Sequence, residues 1–207
     1  MNYFEILITT LKIAVTGTAI CFFTSILMIL FVKKYEKLKG FFDFITALPL
    51  ALPPVISGYF ILIVSDGNLS FEWIGGSLAC AVISLPLVYR MISVTILSID
   101  QKIINTAKIL GSDNKNTFAF IIFPMVKTGI ISAIFLGFIR SISEFGATMI
   151  IAGNISGKTQ TLSTAIYTSI QSGDKESIYI LSSLSILIAI ITIFIFNFIN
   201  KKDGVGL

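Results

Sequence analysis

The chain has 207 residues, of which 55% are hydrophobic and only 13% are charged, with a mean hydropathy of +0.94. Soluble domains carry about 25% charged residues, so a soluble core could not bury this much apolar side chain. The formal net charge is +4, but Lys and Arg lie between apolar runs, which indicates membrane topology rather than nucleic-acid binding. The sequence has no histidine, the commonest general base and metal ligand, which disfavours an enzyme. Cys21 and Cys80 lie in apolar runs and are interpreted as small core residues rather than a disulfide.

The apolar residues form runs long enough to cross a bilayer, which takes about 20 residues each. The first run is too long for a signal peptide, and Lys33-Lys34 follows it in place of a cleavage site, so we expect it in the mature protein. We therefore predict an all-α fold, a polytopic membrane helix bundle that forms a single domain over residues 1–207. The five predicted spans are Ile6–Val32, Phe44–Val64, Trp73–Ser98, Pro124–Ala152 and Ile178–Ile199.

The loop lysines predict the orientation of the bundle. Nine of them fall on one side and two on the other, and the lysine-rich side of a membrane protein is the cytoplasmic one. The N-terminus is therefore predicted outside the cell membrane and the C-terminus inside. The nine are Lys33, Lys34, Lys37, Lys39, Lys102, Lys108, Lys115, Lys201 and Lys202, and the two are Lys158 and Lys175.

Prolines and small residues interrupt the predicted spans. A proline removes a backbone donor, and in lipid the freed carbonyl needs a partner from another helix or from water. Small residues let helix backbones approach closely, as in ordinary bundle packing or in an oligomer. These positions are Pro49, Pro53 and Pro54 in the second span, Pro86 in the third, and the runs Thr16-Gly17-Thr18-Ala19 and Gly75-Gly76-Ser77.

The loop between spans three and four, at about residues 100–123, has the pattern of two short helices. Gly111 is placed to end the first helix, and Asp113 to cap a second one over Asn114–Phe123. Amphipathicity alone fits equally a helix lying on the lipid headgroups or a compact element projecting into the cytoplasm. The apolar face of the first helix is formed by Ile103, Ile104, Ala107 and Leu110.

The spacing in this loop resembles that of permease subunits in ATP-driven importers. Their loop reads E-A-A, three residues, G, nine residues, I-x-L-P. Here Asn105-Thr106-Ala107 is followed by Gly111 and then by Ile121 to Pro124 at those intervals. Asn105, Thr106 and Phe123 depart from the pattern. The resemblance implies a coupling element that docks on an ATP-binding subunit, with Asn105, Thr106, Ala107, Gly111, Ile121 and Pro124 as its residues.

The fourth span contains charged residues at membrane depth. Arg140 and Glu144 are four residues apart, so they can pair on one helix face. Charges in such a place are costly and face a partner, a cavity or the bundle interior. The alternatives are a structural ion pair or a polar lining of a translocation pathway, formed by Arg140, Ser141, Ser143, Glu144 and Thr148.

The run Arg140–Thr148, with Gly153–Leu162 after it, resembles the molybdate transporter permease family, whose pattern is close to R-S-[LI]-[GS]-E-F-G-A-T, then N-I-x-G-x-T-x-T. Leu48–Tyr59 and Ala165–Gln171 resemble that family too. Sulfate and tungstate permeases share parts of the pattern. The resemblance implies a type I importer permease for an oxyanion, with molybdate as the expected cargo and tungstate or sulfate/thiosulfate as the alternatives. It also implies that residues Gly153–Glu176 close the outer mouth, although their composition by itself fits a solvated loop.

The same resemblance implies the partners of the chain. These are a second copy of itself, two cytoplasmic ATP-binding subunits, an external oxyanion-binding protein and membrane lipid, with no nucleic acid. The sequence has no G-x-x-x-x-G-K-[ST] phosphate loop, so ATP is expected to be used by the partner subunit, and no cofactor is expected on this chain. A secondary transporter or channel, and a membrane-embedded enzyme, are the less favoured alternatives.

Overall fold

A computed structural model describes residues 2–201, with the side chains of 199–201 left aside. All regular structure in these residues is helical. A 3₁₀ turn over Glu36–Leu38 and a π-helical turn over Phe118–Ile122 join longer elements. The α-helices are α1 Tyr3–Lys34, α2 Lys39–Ala51, α3 Pro54–Val64, α4 Trp73–Leu97, α5 Gln101–Ile109, α6 Asn114–Thr117, α7 Phe123–Ile142, α8 Gly146–Ile151, α9 Leu162–Ser172 and α10 Lys175–Lys201.

The centre of the bundle is formed by α1, α4 and α7. A Cβ built on Gly17 of α1 would lie 2.7 Å from the carbonyl oxygen of Ser77 on α4, so only glycine allows these two backbones to come so close. The small-residue runs of the first and third predicted spans therefore face each other. Cys21 and Cys80 are buried and free, which confirms their interpretation as core residues. The central apolar core consists of Cys21, Ile29, Ala81, Val88, Tyr89, Ile92 and Ala133.

The second predicted span, Phe44–Val64, was expected as one segment but is a broken helix pair. The segments Glu36–Ala51 and Pro54–Val64 are bent by 117° relative to each other. Leu52 is extended, with ψ 143°, because the Pro53 ring disfavours the helical conformation of the residue before it. Pro54 then starts α3, where a missing backbone donor costs nothing.

The fourth predicted span, Pro124–Ala152, is also wrong as a single segment. Its helix begins earlier, at Asn114, and ends at Ile142. The chain then breaks at residues 143–145 and resumes as the short α8, which packs its Ala147 backbone against Gly58 of α3. A Cβ on Gly58 would lie only 2.5 Å from the carbonyl oxygen of Ala147.

Within residues 2–201, four helices are long and apolar enough to cross a membrane, or five if the bent pair α2–α3 counts as one span. This agrees with the predicted multi-pass bundle of about five helices. The fifth predicted span, Ile178–Ile199, lies within α10, and the tail residues 202–207 fall outside the described part of the chain.

The segment between α8 and α10 is not the solvated loop that its composition suggested. It contains α9, whose N-terminal Thr161 forms a reciprocal capping box with Thr164. The backbone N–H of Leu162 donates to the Thr10 hydroxyl on α1 at 2.9 Å. Leu162 joins Ile6, Ala165 and Leu181 in an apolar cluster, so α9 is tied to both α1 and α10.

Candidate functional site

The loop between α4 and α7 begins with a well-capped helix, α5. The Asp100 carboxylate accepts a hydrogen bond from the Lys102 backbone N–H at 2.8 Å. At the other end, Gly111 has φ +88°, the left-handed conformation that only glycine adopts without strain. Asp113 caps α6 by accepting from the Asn116 N–H at 2.7 Å. The predicted helix end and cap are therefore confirmed.

The second helix of this loop differs from the prediction. The expected separate helix over Asn114–Phe123 is instead continuous with the span that follows it, through the π-helical turn. Pro124 has no backbone donor, but it directly follows the π-helical turn, in which the Phe123 N–H donates to the Phe118 carbonyl, and the helix continues through this irregular turn. The end of this loop is consequently part of one continuous helix of 29 residues, Asn114–Ile142.

Apolar side chains of the loop are largely uncovered within this chain. Of the predicted face, Ala107 is buried at 8% exposure, whereas Leu110 is 81% exposed. Asn105, Thr106 and Pro124 are exposed, and Ile121 is half-buried. The other exposed apolar residues here are Ile103, Ile109, Phe118, Phe120 and Phe123.

The second candidate region is the break between α7 and α8. The Arg140 Nη2 atom lies 2.9 Å from Glu144 Oε2, which confirms the predicted ion pair. Glu144 is past the end of α7, and its Oε1 accepts from the Ala147 N–H at 2.9 Å. The buried carboxylate thus joins the last turn of α7 to the first turn of α8. Its charge is met by the guanidinium and by a helix N-terminus, both of which favour an anion.

Ser141 and Thr148 lie in the interior of the chain, on either side of the break. The Ser141 hydroxyl is 3.1 Å from Ser84 Oγ on α4 and accepts from Thr18 on α1 at 3.4 Å. Thr148 is fully buried, with its hydroxyl 3.9 Å from the Cys80 sulfur. These hydroxyls therefore link the three central helices to each other.

The side chains of Arg140 and Ser143 are accessible on the surface of the chain at the same break. The Arg140 side chain is 28% exposed, and Ser143 is exposed. Arg140 Nη1 lies 3.5 Å from the Ser143 hydroxyl. Of the five predicted pathway residues, these two are the ones that a neighbouring molecule could touch.

Sequence reasoning missed that α9 lies beside the break. The Tyr167 ring packs on Phe145, with ring centroids 5.0 Å apart, and its hydroxyl accepts from Gln171 Nε2 at 2.9 Å. The Asn154 amide also donates to Thr168, which ties the connection after α8 onto α9. The aromatic at position 145 was visible in the sequence, but its partner is 22 positions away and has no local signature.

Two lysines contact the chain at the start of α4. The Lys158 ammonium pairs with Glu72, and Lys12 lies over the Trp73 ring at 3.7 Å from its centroid. Within the described residues, no group of three or more Asp, Glu, Cys or His side chains is placed to hold a metal ion.

A family model described as the binding-protein-dependent transport system inner membrane component matches residues 22–202. The chain belongs to this family. It is therefore a membrane component of a transport system rather than an enzyme.

Two named relatives are similar over most of the chain. The molybdenum transport system permease protein ModB of Escherichia coli K12 is 36% identical over 179 residues, 79% of this chain and 78% of that protein. Its namesake in Haemophilus influenzae is 34% identical over 170 residues, 75% of this chain and 74% of that protein.

A crystal structure of an amino acid ABC transporter with histidines has the same fold. It aligns with 97% of this chain and 93% of its own, with a TM-score of 0.73 and 18% identity. At this identity the likeness concerns the fold alone.

Proposed function

We propose that this chain is the membrane-spanning subunit of an ATP-driven importer and that its cargo is molybdate. The observation that carries the proposal is the 36% identity, over 79% of the chain, to a permease named for molybdenum transport. The resemblance of the run Arg140–Thr148 to molybdate permeases supports it at the level of a local motif.

In this proposal the loop around α5 docks on a cytoplasmic ATP-binding subunit. Its exposed apolar side chains support the role, because Ile109 and Leu110, at 84% and 81% exposure, need a cover that this chain does not supply. The rigid, capped α5 with Gly111 at its end would fit a cleft of that subunit. Motion would then pass through the continuous helix Asn114–Ile142 to the break at residues 143–145.

The break between α7 and α8 would line the pathway. Arg140 and Ser143 are exposed there and would contact the anion, while Ser141, Glu144 and Thr148 hold the break in shape from behind. Because Glu144 already pairs with Arg140, the guanidinium would attract a dianion without holding it tightly. Weak binding suits a subunit that must release its cargo on the other side.

The complete transporter would contain two copies of this chain, two ATP-binding subunits and an external oxyanion-binding protein. The sequence has no phosphate-loop motif, which supports ATP hydrolysis by a partner subunit and transport by this chain. Mass measurement of the purified assembly should give two copies of each membrane and ATP-binding subunit. Transport by this chain alone, without ATP, would contradict the arrangement.

The cargo is tested by uptake into liposomes that contain the assembled complex, with the binding protein outside and ATP inside. Radiolabelled molybdate, tungstate and sulfate are supplied separately and then in competition. We expect ATP-dependent uptake of molybdate that unlabelled molybdate suppresses more strongly than unlabelled sulfate does. Preferential uptake of sulfate, or no uptake of any oxyanion, would show that the proposed cargo is wrong.

A further inference from the structure

A cavity of about 230 Å³ lies between α2 and α4, and its lining includes none of the residues of the break or of the loop between α4 and α7. At about 30 Å³ per water molecule, it has room for about seven waters, so it exceeds a packing defect. It is lined by Asp43, Thr46, Ala47, Leu50, Pro86, Tyr89 and Arg90.

Two opposite charges share this cavity without pairing with each other. Asp43 Oδ1 accepts a hydrogen bond from the buried Tyr89 hydroxyl at 3.0 Å. Arg90 is exposed, and the ion pairs of the described residues do not include one between it and Asp43. Charged groups in a membrane protein normally pair or face a polar ligand, because leaving them uncompensated near lipid is costly.

The cavity lies near the start of α2 and towards the end of α4. Asp43 is about 6 Å from the start of α2, and Arg90 is about 10 Å from the end of α4, at 1.5 Å per residue. Lys33 and Lys34 end α1, and Lys37 lies in the 3₁₀ turn that joins α1 to α2. Lysines cluster at the ends of membrane spans, so we expect this part of the chain to lie level with the lipid headgroups.

The surface beside the cavity is apolar. Phe41, Phe44 and Leu50 of α2 are 58%, 64% and 65% exposed. Leu50 belongs both to this surface and to the cavity lining. A molecule with a polar head in the cavity and an apolar tail along α2 would cover both.

We propose that the cavity binds the headgroup of a phospholipid that carries a primary ammonium, such as phosphatidylethanolamine. The phosphate lies on the Arg90 guanidinium, which suits phosphate oxygens, and the ammonium donates to the free oxygen of Asp43. The headgroup would thereby give both Asp43 and Arg90 a partner of opposite charge. This lipid site is independent of the transported cargo.

The test uses the complex of this chain with its copurifying subunits in nanodiscs of equal parts ethanolamine, choline and glycerol phospholipids. The lipids retained after detergent extraction are then quantified by mass spectrometry. We expect the wild-type complex to retain the ethanolamine lipid over the other two. Asp43→Asn keeps an acceptor for Tyr89 but loses the charge, and Arg90→Gln loses the guanidinium. Each should lower the affinity for the ethanolamine lipid about tenfold, since a hydrogen bond to a charged group is lost.

Lys39→Gln is the matched control, because it removes a charge one turn from Asp43 that does not line the cavity, and it should retain the lipid. Arg90→Lys covers the case in which Arg90→Gln fails to fold, and it should keep most of the binding. Equal retention of the three lipids by the wild type would overturn the proposal, as would unchanged retention in Asp43→Asn. Displacement of the lipid by inorganic phosphate would instead identify a site for free anions, and the lipid proposal would be wrong.

Discussion

Gly111 ends α5 with φ +88°, and nothing lies within 4 Å of the position that a Cβ would occupy. Replacement by a larger residue therefore meets no steric clash with the rest of the chain. Its cost is local backbone strain of about 1–2 kcal/mol. A β-branched residue would shift the end of α5 while leaving the membrane helices intact.

We expect Gly111→Val to reduce both uptake and substrate-stimulated ATP hydrolysis in the assembled complex, with near-normal abundance. Gly40→Val is the matched control, since Gly40 also has open space around it but lies in helical backbone. Both activities are measured in the same liposomes. Normal coupling in a well-expressed Gly111→Val protein would mean that this loop does not transmit motion.

Asp174, at the start of α10, provides a pH test outside the membrane. Hydrogen bonds from the Ser177 hydroxyl and N–H hold the pKa of its carboxyl below the usual value of 3.8. A lowered folded-state pKa gives stability that is present above the ordinary value and is lost as pH falls through the folded one. We expect Asp174→Ala to lower the unfolding temperature at pH 7, and the difference from wild type to shrink below pH 3.8. A difference that is independent of pH would show that the charge of Asp174 is not involved.

At the scale of the element, the break between α7 and α8 depends on one ion pair. Removing Arg140 leaves the Glu144 carboxylate, which is 2% exposed, without a counter-ion. Arg140→Gln should cost on the order of 3 kcal/mol of stability, because an uncompensated buried charge remains. The double variant Arg140→Gln/Glu144→Gln should recover much of that loss, which thermal unfolding in detergent would measure.

The same two variants distinguish a structural role of Arg140 from a role in contacting the transported anion. If Arg140 contacts the anion, the double variant should be stable yet show a raised half-saturating concentration for uptake. If the double variant transports like the wild type, Arg140 serves only the fold. Additive destabilisation by the two substitutions would show that they are not coupled through the ion pair.

At the scale of the whole molecule, the orientation depends on the nine loop lysines against two. Single cysteines at Ser70 and Ser156, in a background without Cys21 and Cys80, should react with an impermeant thiol reagent in intact cells. One at the exposed Asn114 should react only after the cells are opened. The reverse labelling pattern would invert the proposed topology, including the side on which the coupling loop lies.

The sequence alone determined the class of the protein, the approximate spans and the helix end and cap in the loop between α4 and α7. Apolar runs, the left-handed Gly111 and the Asp113 cap depend on residues close together in the chain, so their physical effect can be predicted from spacing. The ion pair of Arg140 and Glu144 was predictable for the same reason, since its partners are four positions apart.

Only the tertiary structure decided where the predicted spans break and what covers each segment. The bend of 117° at Leu52–Pro53 and the break after Ile142 depend on how α3 and α8 pack through Gly58 and Ala147, which are far apart in sequence. The burial of α9 likewise depends on Thr10, 152 positions from Leu162. Hydropathy measures only how apolar a run of residues is. Contacts between distant segments decide which helix covers the apolar face of that run, and where the run breaks.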